Sequence, residues 1–172
     1  MYKENAERAQ LEAKFENYTD YLLSLDMKAT IKPFEPVLMA RIAQLTNKSN
    51  QFNLTTKRYT QEEIEGIAKN PEYIDLYGRL EDRFGDNGVV SMVIGHQEND
   101  DDDLVNIDLW LMSCRVLKRD MEFAMMDEFI SICKERGVRT VIGHYYPTAK
   151  NAMVKDFYAL HGFTKTSELE LS

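Results

Sequence analysis

The sequence predicts a single α/β domain built on a mixed sheet with helices on both faces. Three observations carry that expectation. Val105, Ile107, Leu109 and Leu111 alternate along residues 104–113, as a half-buried strand does. The strands of the middle third are joined by hairpin-length links, which makes them antiparallel. A helical stretch over 121–136 lies between two strands, and such a crossover makes its flanking strands parallel. The 172 residues are the size of one ordinary domain, and 44% apolar with 29% charged residues is a globular composition.

The elements follow in order. Residues 3–24 read as one helix, with Ala6, Leu11, Phe15, Tyr18 and Leu22 spaced three to five apart. Residues 27–31 form a short strand ended by Pro33, and Pro36 opens a helix to about Asn47. Thr60 and Glu63 form a capping box for a helix ending near Asn70-Pro71. Residues 73–80 and 89–95 are strands around a turn at 85–88, and 97–103, with five acids, is a solvated connection. After the strand 104–113, Asp120 caps the helix 121–136, which Gly137 stops. A strand over 138–145, a helix from Thr148 or Asn151 to His161, and a last strand over 164–171 complete the chain.

Charge and cysteine usage exclude several functions. The net charge of −8 is concentrated in residues 61–113, which hold 3 basic and 14 acidic side chains. A general nucleic-acid interface needs a basic face, so none is expected. No apolar run is long enough to span a bilayer, and the charged N-terminus has no secretory h-region. Two cysteines cannot build a disulfide framework, and a cytoplasmic location is the expectation. Cys133 shares a helix face with Met126 and Ile130 and reads as core. The three histidines lack metal-ligand spacing, so no metal is expected.

Several residues carry candidate chemistry. Cys114 stands beside Arg115, shortly before a helix N-terminus, surroundings that lower a thiol pKa. It is either a nucleophile able to carry an acyl group as a thioester or a small buried hydrophobe. His144 follows Ile142-Gly143 at the carboxyl end of a strand and is the histidine best placed for catalysis. Between Pro36 and Gln61 there is no acid, while Asn47, Asn50, Gln51, Asn53, Thr55 and Arg58 crowd together. That tract suits a polar or phosphorylated ligand, or else is a loop held by its own Asx-turns.

The end of the chain is similar to a known motif. Asn151, Val154, Phe157-Tyr158 and Gly162-Phe163 match N-x-x-A-x-x-F-Y-x-x-x-G-F, with Val154 where alanine is usual. This resembles the last motif of GNAT-type acyltransferases, and the order of elements is theirs too. The resemblance implies a GNAT-like fold, Asn151 at the cofactor, and Tyr158 beside the acyl-carrier sulfur as an acid for the departing thiolate. It also makes the turn 113–120 the pyrophosphate loop, with pattern [QR]-x-x-G-x-[GA]. Arg115 matches its first position, while Lys118 and Asp120 stand where glycines belong. Lys118 and Arg119 then hold phosphate by side chain, and free coenzyme A is expected to bind weakly.

Four stretches taken together, RIAQLTNKSNQFNLTTKRY at 41–59, DRFGDNG at 82–88, LMSCRVL at 111–117 and PTAKN at 147–151, resemble the C-terminal half of FkbH-like proteins. These are glyceryltransferase-type members of HAD-superfamily subfamily IIIC. The resemblance implies that residues 1–26 are a connector from a preceding HAD domain and that 27–172 are a GNAT-like acyltransferase domain. It implies transfer of a small, glyceryl-like acyl group to the phosphopantetheine thiol of an acyl carrier protein, with acyl-CoA as the alternative acyl carrier. Lys150, inside the last stretch, joins the tract 47–58 as substrate-binding. The other reading is a non-catalytic module that docks the carrier protein for the HAD domain.

Overall fold

The computed structural model describes residues 2–98, 101–113 and 119–169. One sheet of five strands runs in the order β1 (Lys28–Lys32), β2 (Tyr73–Asp82), β3 (Gly85–Glu98), β4 (Asp101–Met112) and β5 (Thr140–Gly143). The first four are antiparallel neighbours, and β4 pairs with β5 in parallel, as the crossover requires. Helix α5 (Met121–Glu135) makes that crossover.

Each face of the sheet buries its own core. On one side, α3 (Met39–Lys48) and α4 (Gln61–Lys69) cover Tyr77, Met92, Ile94, Leu109 and Leu111. On the other, α5 lays Met121, Met125, Phe129 and Cys133 against Leu76, Val93, Val105, Ile107, Trp110 and Met112. Cys133 is 2% exposed, and burial pushes its thiol up to about 11. The expected capping box of α4 forms: Thr60 Oγ1 accepts from Glu63 N, and Glu63 Oε1 accepts from Thr60 N, both at 3.1 Å. Thr60→Ala should therefore lower stability by about 1 kcal/mol, read as a drop in the urea midpoint with an unchanged m value.

Several elements differ from the sequence-based expectation. The first helix is two, α1 (Tyr2–Glu12) and α2 (Tyr18–Ser24), because the extended Asn17 between them caps α2 by accepting from Thr19 N at 2.8 Å. Both dock on the domain. Arg8 is the one buried residue among the described side chains of α1, while Tyr21 and Leu22 of α2, with Leu25, form a small core beside Met27 and Phe84. The helix expected from Pro36 begins as a 3-10 turn, Pro36–Leu38, before α3. The β2–β3 turn is Arg83-Phe84 rather than 85–88, because Asp82 Oδ1 accepts from the N–H of both Phe84 and Gly85. Asp120 precedes α5 in left-handed geometry at φ 63° and makes no side-chain cap.

The alternation along β4 is split by a bulge. Ile94 faces Leu109 while Gly95 faces Ile107, leaving Asp108 as the extra residue. Val105 and Ile107 therefore face α5, whereas Leu109 and Leu111 face α3 and α4. The helix expected over 148–161 is two short pieces, a 3-10 turn at Ala152–Val154 and α6 (Phe157–Leu160). The side chains of Thr148 and Asn151 exchange bonds with each other's backbone N–H there, which competes with a regular helix start. Residues 164–169 form no strand: their side chains are exposed, Leu169 at 87%, so pairing would bury nothing. Among the described residues, no helix is long and apolar enough to cross a membrane.

Candidate active site

The parallel pairing of β4 and β5 lasts only from Leu104–Thr140 to Ile107–Gly143. Past the bulge at Asp108, β4 continues along β3 to Met112, while the other chain turns away after Gly143. The two strands thus open into a fork at their carboxyl ends, the end of a parallel sheet where ligands of open α/β folds bind.

Tyr158 packs at this fork, and His144 is the first residue after β5. Tyr158, in α6, lies against Gly143 so closely that a Cβ there would stand 2.5 Å from two of its ring carbons. Phe157 and Phe163 flank the ring, each with centroids 5.2 Å away. The residue as a whole is half-buried, but its hydroxyl is buried and has no hydrogen-bond partner. Burial pushes this phenol far above its ordinary value; the His144 backbone acts in the opposite sense without making a well-formed bond to the hydroxyl. Tyr158 therefore stays protonated through the physiological range and has its proton free to donate. Trp110 Nε1, on the fork segment of β4, is the other buried polar side-chain atom without a partner among the described residues.

The half-buried His144 bonds through Nε2 to Asn106 Oδ1 at 2.8 Å. An amide oxygen only accepts, so Nε2 is the donor in this bond and Nδ1 is the ring nitrogen left for a substrate. Asn106 occupies an ordinary polar step of the β4 alternation, as Asp108 does, so nothing in the sequence sets it apart.

Asn151 is fully buried, and its bonds run to the chain itself. Its Nδ2 donates to Asn53 O (2.9 Å) and Tyr146 O (3.0 Å), and its Oδ1 accepts from Thr148 N (2.8 Å). Both amide protons are spent inside the protein. Lys150, beside it, is exposed.

The tract rich in neutral polar residues is tied into a loop largely by its own side chains. Asn47 Nδ2 donates to Ala43 O and Tyr59 O, and Arg58 donates to Thr46 O, Ser49 O and Asn50 Oδ1. Asn53 accepts from Thr56 N and donates to Ser49 O, while Thr55 Oγ1 donates to Asp108 O at the bulge (2.7 Å). Gln51 is exposed. Asn47, Asn50, Asn53, Thr55 and Arg58 thus shape the loop, and its Phe52–Thr55 part reaches the fork.

Arg119 is in another place. It is 9% exposed and donates to Asp82 Oδ2 at 3.0 Å, sharing that carboxylate with Arg8, whose Nε and Nη2 reach the two oxygens at 2.6 and 2.9 Å. Burial and the neighbouring Arg8 lower the Arg119 guanidinium, while Asp82 opposes them. That Asp82 is the centre of this ion cluster is something periodicity could not show. Cys114, Arg115 and Lys118 lie outside the described residues. Among the described residues there is no group of three His, Cys, Asp or Glu able to hold a metal.

No family model matches the chain, and no curated protein matches it. Solved structures do. The ribosomal-protein-S18-alanine N-acetyltransferase of Escherichia coli is 14% identical with a TM-score of 0.59, over 81% of this chain and 80% of that one. A GNAT-family acetyltransferase from Streptococcus pneumoniae is 17% identical with a TM-score of 0.62, over 81% and 87%. The aminoglycoside acetyltransferase AAC(6')-Iy, solved with a bisubstrate analogue of coenzyme A, is 10% identical with a TM-score of 0.63, over 84% and 97%. At these identities the likeness is one of fold, and the fold is that of the GNAT acetyltransferases.

Proposed function

We propose, from the GNAT acetyltransferase fold, that this domain transfers a small, glyceryl-like acyl group to the phosphopantetheine thiol of an acyl carrier protein in the cytoplasm. The observation that carries the reading is the buried, unpartnered Tyr158 hydroxyl at the fork; the His144–Asn106 pair lies just past the end of β5. A buried donor without a partner costs stability, and such a cost fits a group whose partner arrives with the substrate.

In this reading an attacking thiol sulfur forms a bond to the acyl carbon, and the bond from that carbon to the departing sulfur breaks. Tyr158 Oη donates its hydrogen bond to the departing thiolate, and His144 Nδ1 takes the proton of the incoming thiol. Cys114 is the candidate for a covalent way-station, and Arg115 and Lys118 for the phosphate of the arm or of the acyl donor. The acyl carrier protein and a preceding HAD domain are the proposed partners, and acyl-CoA is the alternative acyl source. The second reading, a non-catalytic docking module, draws support from the loop that fills the fork.

Tyr158→Phe tests the assignment. Acyl loading of a carrier protein, followed by intact mass, should fall by about 10²–10⁴-fold. The same change should leave stability equal or raise it by about 1 kcal/mol, because it deletes an unsatisfied buried hydroxyl. Loading at the unaltered rate would remove Tyr158 from the chemistry.

A further inference from the structure

Between β4 and the chain that follows β5, the fork is already filled. Phe52 O accepts from Met112 N at 2.9 Å, and Leu54 N donates to Trp110 O at 3.0 Å, with Asn53 facing Leu111 as an antiparallel bridge. On its other side Leu54 O accepts from Tyr146 N at 2.8 Å. Residues 52–54 thus form a short strand that uses the inner edge of β4 where β5 has left it. Asn53 and Leu54 are fully buried and Thr55 nearly so.

The segment is fastened by side chains rather than by a long ladder. Thr55 Oγ1 holds the bulge carbonyl of Asp108, and Asn151 Nδ2 bridges Asn53 O and Tyr146 O. Thr56, directly after it, sits at φ 54°, a left-handed geometry unfavourable for a β-branched residue. An extended, amide-bearing arm entering the fork would seek the same N–H and C=O groups of Trp110 and Met112. One strand edge cannot serve two chains.

We propose that residues 52–55 are a displaceable strap over the fork and that Asn151 is its latch, a positioning residue that keeps the arm out until the strap lifts. The proposal rests on the acyl-transfer reading above, since the phosphopantetheine arm is the competitor. The latch reverses the sign expected of a ligand-holding Asn151. If Asn151 held the arm, its removal would weaken binding. As a latch, its removal raises the fraction of protein in the open state, and apparent affinity rises with that fraction.

The experiment uses the full chain, with coenzyme A and 4′-phosphopantetheine as probes in calorimetry and amide hydrogen exchange as the structural readout. Asn151→Ala should bind the probes roughly tenfold more tightly than the unaltered protein. Thr55→Val, which keeps the shape and loses the bond to Asp108 O, should move affinity in the same direction and serves if Asn151→Ala does not fold. At saturation the Leu54 amide should exchange faster while the Met112 amide stays protected, since the arm replaces the strap on β4. Weaker binding by the two variants, or saturation with Leu54 still protected, overturns the strap and leaves the acyl-transfer reading standing. Failure of any variant to bind either probe while its Leu54 amide is already exchanging fast overturns the arm reading, and the gating role of the strap with it.

Discussion

Asp82→Asn should cost about 3–5 kcal/mol, a fall in Tm of roughly 10 °C for a chain of this size. The Asp82 side chain has no exposed surface, and those of Arg8 and Arg119 have 6% and 8%. Removing this carboxylate takes from two buried guanidinium groups the counter-charge they share, which is costlier than never having built the cluster. Burial pushes the Asp82 carboxyl upward, but the Arg8 hydrogen bonds, the Phe84 amide and the two arginine charges outweigh it and hold the carboxyl below its ordinary value. Its folded pKa is thus below the unfolded value of about 3.9, so the stability it contributes is complete above that pH. That contribution is lost as pH falls through the folded value. The gap between the native protein and Asp82→Asn should therefore be widest near neutrality and close in acid, as urea titrations from pH 7 to pH 3 would show. A gap under 1 kcal/mol at pH 7, or one that widens in acid, would contradict the cluster's role. The same substitution should loosen α1, whose buried anchor is Arg8, and raise amide exchange over residues 2–12 ahead of the sheet.

Under the proposed function, Gly143→Ala should abolish acyl transfer to the carrier while leaving a folded protein. The added Cβ would stand 2.5 Å from Cε1 and Cζ of Tyr158 and 2.6 Å from Cδ1, so the whole ring face must withdraw. Phe157 and Phe163 flank that ring, so its withdrawal disturbs the packing of α6. Overpacking of this kind costs about 1–3 kcal/mol. The coupling is measurable as a double-mutant cycle: Tyr158→Ala makes room, so Gly143→Ala added to it should cost little further stability. Neither the single nor the double variant should load the carrier. If Gly143→Ala keeps both its Tm and full transfer, the contact between glycine and ring is not what places the hydroxyl.

The fold was legible because its signals are local. The capping box of α4, the stop at Gly137 and the apolar face of α5 are each written within a few residues, and each forms as read. The parallel pairing of β4 and β5 followed from the length of what joins them. The structure departs from the local signals where a neighbouring polar side chain competes with a regular element. Asn17 broke the first helix, Asp82 moved the β2–β3 turn, and Thr148 with Asn151 shortened the last helix. The bulge at Asp108 left no mark in the alternation of β4, since Val105 to Leu111 looks like one uninterrupted stripe.

The sequence by itself determined the order of elements from β1 to β5, the mixed sheet, the crossover and the set of polar residues from which a site could be drawn. Only the tertiary structure decided what those residues do. Asn151 and Asn53 are 98 positions apart, Arg8 and Asp82 are 74, and His144 and Asn106 are 38. A hydrogen bond between groups that distant leaves no period in the chain, because periodicity records only which face of an element is apolar. Polar residues such as Asn151, Arg119 and Arg58 thus look alike in sequence whether their donors are spent on the protein's own carbonyls and carboxylates or kept for a substrate. The partner is chosen when the sheet brings distant segments to one place, and at the fork that choice left Tyr158 with its proton uncommitted.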